Sequence, residues 1–163
     1  MTERAGGGIA LRPALPGDRE FLLSVYAATR TEELAPVPWT DEQKALFIRQ
    51  QFEAQDHEYR RAYPEGLFQI IEREDVPSGR LYLNPGRSDT RIVDLALLPF
   101  ARGLGIGSRL LDGLARDADR FGRSLSIHVE VMNTGARRLY SRFGFRLRED
   151  KGVYLLLERP TLA

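Results

Sequence analysis

The chain has 163 residues, with 24 Lys+Arg against 23 Asp+Glu, and is 42% hydrophobic and 29% charged. That length suits a single domain, 1–163, with a sizeable core, and the composition is not that of a disordered chain. A net charge of +1 gives no whole-molecule field for holding nucleic acid or an anionic membrane, so neither is expected as a partner. The chain has no cysteine, which removes disulfides, thiolate nucleophiles and Cys-ligated metals; this suits a reducing compartment, and the cytoplasm is the expectation.

Residues 1–7 lack the apolar run of a secretory signal, and their glycines read as a flexible lead-in. Residues 8–12 alternate briefly and stop at Pro13, as a short strand does. Asp18, after Pro16-Gly17, stands where a helix cap belongs, followed by an apolar stripe of Phe21, Leu22, Val25 and Tyr26. Pro36 and Pro38 break that pattern, and Thr40 or Asp41 can cap a second helix running through Phe47, Ile48 and Phe52 toward Tyr63. After Pro64-Glu65-Gly66 the hydrophobic period falls from about 3.6 to about 2. Strands are predicted over 67–72, 80–83 and 91–98, with turns at Val76-Pro77-Ser78-Gly79 and Asn84-Pro85-Gly86. A helix over 103–121, a strand over 124–132, a helix over 134–142 and strands over 145–148 and 153–158 complete the chain.

These elements make a mixed α/β (α+β) domain: a mostly antiparallel central sheet of about seven strands flanked by about four helices, turning parallel around the crossover helix 103–121. The longest apolar stretch, Leu95 to Ala101, is broken by Pro99 and falls far short of the ~20 residues that span a bilayer. Val153 to Leu157 is almost continuously apolar, which fits a strand buried on both faces or one that pairs across a homodimer.

Chemistry concentrates at Arg102-Gly103-Leu104-Gly105-Ile106-Gly107-Ser108, directly before the stripe Leu110, Leu111, Leu114, Ala115 and Ala118. A glycine-rich turn at a helix start presents amide N–H groups without intrahelical acceptors, allows close approach of an anion, and adds the positive end of the helix dipole. Arg102 adds charge to this phosphate cradle. The Walker pattern fails because no lysine lies between Lys44 and Lys151, and the glycine spacing is not that of the dinucleotide fingerprint. From Phe100 to Arg148 there are ten arginines and four acids, so the net +1 hides a basic half and an acidic half.

The chain has two histidines, His57 and His128, and no G-x-S-x-G elbow, which disfavours a Ser-His-Asp hydrolase. His128-Val129-Glu130 fits the H-x-E of zinc deaminases, but that chemistry requires cysteine ligands, and no metal is expected. Asp94 lies in the strand before the cradle. His128 and Glu130 share one face of the strand that follows it, so all three can reach a cleft where those strands meet.

The cradle and a second block resemble the GNAT superfamily of N-acetyltransferases. The acetyl-CoA signature of that family, Arg/Gln-x-x-Gly-x-Gly/Ala, is matched by Arg102 through Gly107, and its later Asn, Ala, Leu-Tyr and Gly-Phe positions are matched by Asn133, Ala136, Leu139-Tyr140 and Gly144-Phe145. The resemblance extends roughly over 8–158 and is sharpest over 91–146. It implies acetyl transfer from acetyl-CoA, as co-substrate, to a primary amine of a small molecule or of a protein or peptide, by direct attack in a ternary complex. It assigns the pyrophosphate to the amides of Gly103, Leu104, Gly105, Ile106, Gly107 and Ser108, and the pantetheine arm to the backbone near Leu97. Asn133 is implied as a pantetheine contact or a helix cap.

By the same resemblance Tyr140 is the acid that protonates the leaving thiolate, and a carboxylate on the central strands is the base, with Asp94 and Glu130 ahead of His128. Arg137, Arg138 and Arg142 are candidates for the 3′-phosphate end. The acceptor side is expected around Glu32, Glu33, Trp39, Phe68, Tyr82 and Tyr154, where acids and aromatics suit a cationic amine. A sensor that binds acyl-CoA without turnover, or an interaction domain on the same fold, is the alternative.

Overall fold

The structure, a computed structural model, describes residues 3–5 and 8–162. Within the expected lead-in, Glu3–Ala5 forms β1, an edge strand; residues 1, 2, 6 and 7 lie outside the described residues. The remaining elements are β2 (Ile9–Pro13), α1 (Arg19–Leu34), α2 (Asp41–Ala62), β3 (Leu67–Arg73), β4 (Val76–Pro85), β5 (Asp89–Leu97), α3 (Ile106–Phe121), β6 (Ser124–Glu130), α4 (Thr134–Arg142), β7 (Arg146–Asp150) and β8 (Tyr154–Arg159). The strands form one sheet in the order β1-β2-β3-β4-β5-β6-β8-β7. Every neighbouring pair is antiparallel except β5 with β6, which α3 connects as the crossover.

Helices cover both faces of the sheet. On one side α3 and α4 bring Ile106, Leu110, Leu111 and Tyr140 against Leu81, Leu83, Ile92, Leu125 and Ile127. On the other, α1 and α2 bring Leu22, Tyr26 and Phe52 against Ile70 and Tyr82. β8 lies between β6 and β7 with Leu155, Leu156 and Leu157 buried, so its apolar run reflects two covered faces. Both of its edges are already paired, which closes strand pairing across a dimer to this strand.

The local signals hold in part. Thr40 caps α2 with a reciprocal box: its hydroxyl accepts from Gln43 N at 3.1 Å and its N–H donates to Gln43 Oε1 at 2.9 Å. Asp18 occupies the cap position of α1 but its side chain turns back, accepting from Leu15 N at 2.7 Å and from both Arg12 Nη atoms at 2.8 Å. The β3–β4 turn is not at Val76-Pro77-Ser78-Gly79. It falls at Glu74-Asp75, both with positive φ, and Val76–Gly79 belong to β4. Pro77 is tolerated there because β4 pairs with β5 only from Gly79 onward, so one edge of β4 at Pro77 needs no N–H. Gly79 itself is required by close approach: a Cβ there would lie 2.3 Å from the Ala96 carbonyl oxygen on β5.

The Arg12 fork holds the Asp18 carboxyl down at about 2, helped by the Leu15 amide. The ionised form is therefore favoured by folding. Its stabilisation is complete above the ordinary carboxylate range and disappears as pH falls toward 2. Asp18→Asn is expected to lower stability at pH 7 by about 1–3 kcal/mol, the usual cost of losing hydrogen bonds to a charged group. The difference between the two proteins in urea midpoint should shrink between pH 4 and pH 2.

Candidate active site

The parallel pairing of β5 with β6 runs from Asp89↔Ser124 to Ile92↔Ile127 and stops, although β5 continues to Leu97 and β6 to Glu130. The cause lies on the other edge of β5. The β4–β5 register shifts between Tyr82 and Leu83, so Val93 is an extra residue and Tyr82 pairs with Asp94. A bulge bends its strand and increases the local twist, which carries the second half of β5 away from β6. The facing edges of residues 93–97 and 128–130 have no strand partner, and the wedge between them opens into a cavity of about 650 Å³.

Three of the predicted site residues with side-chain chemistry, Tyr140, Glu130 and Asp94, line this one cavity, together with Asn133, His128 and Tyr154. Glu33 reaches it from α1, beside Tyr26, Thr29 and Arg30, while Gln51, Gln55 and Tyr59 reach it from α2. The other expected acceptor-side groups do not line it. Phe68 and Tyr82 pack edge to face at 4.9 Å in the core under α2, and Tyr82 is only 1% exposed. Trp39 meets Phe47 edge to face at 5.3 Å beside a separate surface depression, and Glu32 is exposed outside the cavity. Core packing absorbed Phe68 and Tyr82.

Asp94 is held in a network that joins three elements. Arg80, 2% exposed on β4, donates from Nη2 to Asp94 Oδ2 at 2.6 Å and to Gln55 Oε1 at 2.9 Å; Tyr59 OH donates to the same Asp94 oxygen at 3.2 Å. Burial alone would pull the Arg80 pKa down, but the Asp94 charge, joined by Tyr82, Tyr59 and the Asp94 hydrogen bond, makes the net direction upward. Burial, with Asp94 adding to it, pushes the Tyr59 phenol well above its ordinary value. Asp94 is thus the counter-charge of a buried guanidinium, and a side chain without that charge there would leave Arg80 unpaired, a costly state. Glu130 differs: it is exposed to the cavity, and among the described residues no hydrogen bond or ion pair engages its carboxylate.

Tyr140 is 4% exposed, with its ring edge to face on Phe145 at 5.4 Å. Burial, and then the charge of Asp94, push its pKa above the ordinary phenol value, so it stays protonated at neutral pH. Asn133 Oδ1 accepts from Ala136 N at 3.2 Å, capping α4 while lining the cavity.

The glycine turn lies just past the end of β5. Gly103 and Gly105 have φ of +72° and +78° with open space around each, so backbone conformation rather than room demands glycine there. The first helical amide with a backbone acceptor is Arg109 N, which donates to Gly105 O at 3.1 Å; those of Ile106, Gly107 and Ser108 precede it. Arg102 Nε donates to Leu97 O at 3.1 Å, tying the turn to the last residue of β5. A Cβ on Gly107 would sit 3.5 Å from Leu139, so the start of α3 abuts α4 next to Tyr140. Arg137 donates to Val131 O at 3.0 Å, which occupies one of the arginines expected for phosphate.

Sequence reasoning missed Arg80, Gln55, Tyr59 and Arg91. One signal was present: Arg80 is a lone charge inside the buried run from Ser78 to Leu83, and such a charge requires a partner. Among the described residues no group of His, Cys, Asp and Glu is placed to hold a metal ion, and no helix is long and apolar enough to cross a membrane.

Residues 26–145 match the sequence profile of the Acetyltransferase (GNAT) family. The probable N-acetyltransferase san of Drosophila melanogaster is 34% identical over 65 residues, which are 39% of this chain and 35% of that protein, so the match spans about a third of that curated relative's length. Among solved structures, the PaiA N-acetyltransferase of Thermoplasma acidophilum in complex with coenzyme A superimposes with a TM-score of 0.70 at 18% identity, covering 93% of this chain and 98% of that one. RimL, a ribosomal L7/L12 alpha-N-protein acetyltransferase in complex with coenzyme A, gives 0.66 at 17% identity over 99% and 98% of the two chains. At these identities the structural likenesses speak to the fold alone. The sequence profile, which extends over most of the chain and includes both the glycine turn and the Asn133-to-Phe145 block, shows that the chain belongs to the acetyltransferase (GNAT) family.

Proposed function

We propose that the protein is an acetyl-CoA-dependent N-acetyltransferase that transfers the acetyl group to a primary amine by direct attack in a ternary complex. The observation that carries this reading is the wedge between β5 and β6, which opens into the cavity holding Tyr140, Glu130 and Asp94, with the glycine turn following the end of β5. The residues present fit coenzyme A. The amides of residues 103–108 and the dipole of α3 suit its pyrophosphate, with Arg102 alongside, and the unpaired edge of β5 down to Leu97 suits the amide-bearing pantetheine arm. Asn133, which lines the cavity at the start of α4, would contact that arm. PaiA and RimL are each solved with coenzyme A, which supports the same ligand here.

In the reaction the amine nitrogen bonds to the thioester carbon, the carbon–sulfur bond breaks, and the thiolate takes a proton. Tyr140 supplies that proton. Its raised pKa keeps the phenol loaded, and the same burial that raises it also makes a thiolate beside it a stronger base. The amine gives its proton to Glu130, directly or through water, because Glu130 is the cavity carboxylate with no counter-ion. Asp94 acts instead as the anchor of Arg80 and, through Tyr59, of α2. Arg30 pairs with Glu33 at 2.9 Å and Arg80 with Asp94, which leaves Glu130 as the uncompensated charge, suited to drawing in a cationic amine.

A screen of small amines and peptides, followed by free-thiol release, tests the assignment. Release accelerated by an amine is the expected result; tight coenzyme A binding without turnover on any amine would support a sensor instead. Tyr140→Phe should lower kcat by ~10²-fold or more with little change in acetyl-CoA affinity, measured by single-turnover thiol release and calorimetry. Glu130→Gln should lower kcat by ~10²-fold or more, with part of the loss recovered at high pH, where solution supplies the amine already deprotonated.

A further inference from the structure

We infer that His128 serves acetyl transfer as a fixed hydrogen-bond donor through Nε2–H, not as a proton acceptor, and that Arg91 holds its ring in that tautomer. The donor role rests on the acetyl-transfer reading above; the tautomer does not. Arg91 Nη1 lies 3.0 Å from His128 Nδ1. A guanidinium can only donate, so Nδ1 must offer its lone pair, and a neutral ring then carries its proton on Nε2.

The guanidinium is itself held in place. Arg91 Nε donates to Ser126 Oγ at 2.7 Å, Ser126 Oγ donates to Asp89 Oδ2 at 2.6 Å, and Ser124 Oγ donates to Asp89 Oδ1 at 2.6 Å. This ladder crosses the parallel pairs Asp89↔Ser124 and Arg91↔Ser126 and ends at His128, the first β6 residue beyond the last pair. His128 therefore stands at the apex of the wedge, in the cavity that Tyr140 also lines.

The groups around the ring favour its neutral form. Arg91 faces it from β5, Lys151 and Glu149 from the β7–β8 end, Glu130 shares its strand face, and Tyr154, Arg30 and Glu33 line the same cavity from β8 and α1. Burial, Arg91 and Lys151 lower the His128 pKa, and Glu149 only partly opposes them. A base needs a free lone pair, and the lone pair on Nδ1 is occupied. An Nε2–H can serve an oxygen, and the oxygen that gains charge during the reaction is that of the acetyl carbonyl. A neutral donor does this without repelling a cationic amine.

Imidazole ¹H–¹⁵N spectra of the labelled protein test the tautomer, and with His57 as the other histidine, His57→Gln assigns the signals. The expected pattern at neutral pH is an unprotonated Nδ1 and a protonated Nε2 for His128, shifting toward a mixture of tautomers in Arg91→Met. His128→Ala should lower kcat by ~10²-fold, the cost of one oxyanion donor, with the KM for acetyl-CoA unchanged. His128→Gln, which keeps an N–H donor, should retain most of the rate, and both variants should keep the wild-type pH dependence of kcat/KM. A protonated Nδ1 at neutral pH, an unchanged kcat in His128→Ala, or loss of an ionisation from its pH profile would each overturn the inference. Absence of turnover in the wild type would overturn the acetyl-transfer reading, and the donor role with it, while the spectra still report the tautomer.

Discussion

Everything at the site depends on the point where β5 stops pairing with β6. Backbone N–H and C=O groups inside a sheet are ordinarily satisfied by the neighbouring strand. Here one inserted residue, Val93, turns β5 away, and the facing edges below Ile92 and Ile127 lie open. The wedge gives an extended, amide-rich ligand a place to lie as an added strand, and it connects the two faces of the sheet. For that reason Tyr140, from the α3–α4 side, and Tyr59, from the α1–α2 side, line a single cavity.

The glycine turn was legible because its meaning is local. Arg102 to Ser108 spans one turn and one helix start, and the requirement for positive φ at Gly103 and Gly105 is met within that span. Asn133 as a cap and the capping box of Thr40 were legible for the same reason. The parallel pair around α3 followed from the alternation of elements, whereas the place of β8 between β6 and β7 did not.

What sequence could not supply were contacts across elements. Asp94, Arg80, Gln55 and Tyr59 come from β5, β4 and α2, and only the fold brings them together. The β3–β4 turn was misplaced because Pro-Ser-Gly is a stronger compositional turn signal than Glu-Asp, yet the acidic pair adopts the positive φ that a tight hairpin needs. Phe68 and Tyr82 were expected at the acceptor side as aromatics; the register of β3 and β4 turns them under α2 instead. The arginine excess between Phe100 and Arg148 gave the sign of the local charge without its use. Arg102 and Arg137 direct their guanidiniums at the carbonyls of Leu97 and Val131, securing the strand ends that border the wedge.

The short parallel junction also has a mechanical meaning. Strands β1 to β5 form one leaf and β6, β8 and β7 another, joined by four residue pairs from Asp89↔Ser124 to Ile92↔Ile127. Such a joint would flex if backbone bonds alone closed it. The ladder of Asp89, Ser124, Ser126 and Arg91 lies across it like a clasp, with Ser126 almost fully buried. Polar side chains that need never touch a ligand therefore join the core under α3 in holding the two leaves together at the head of the wedge.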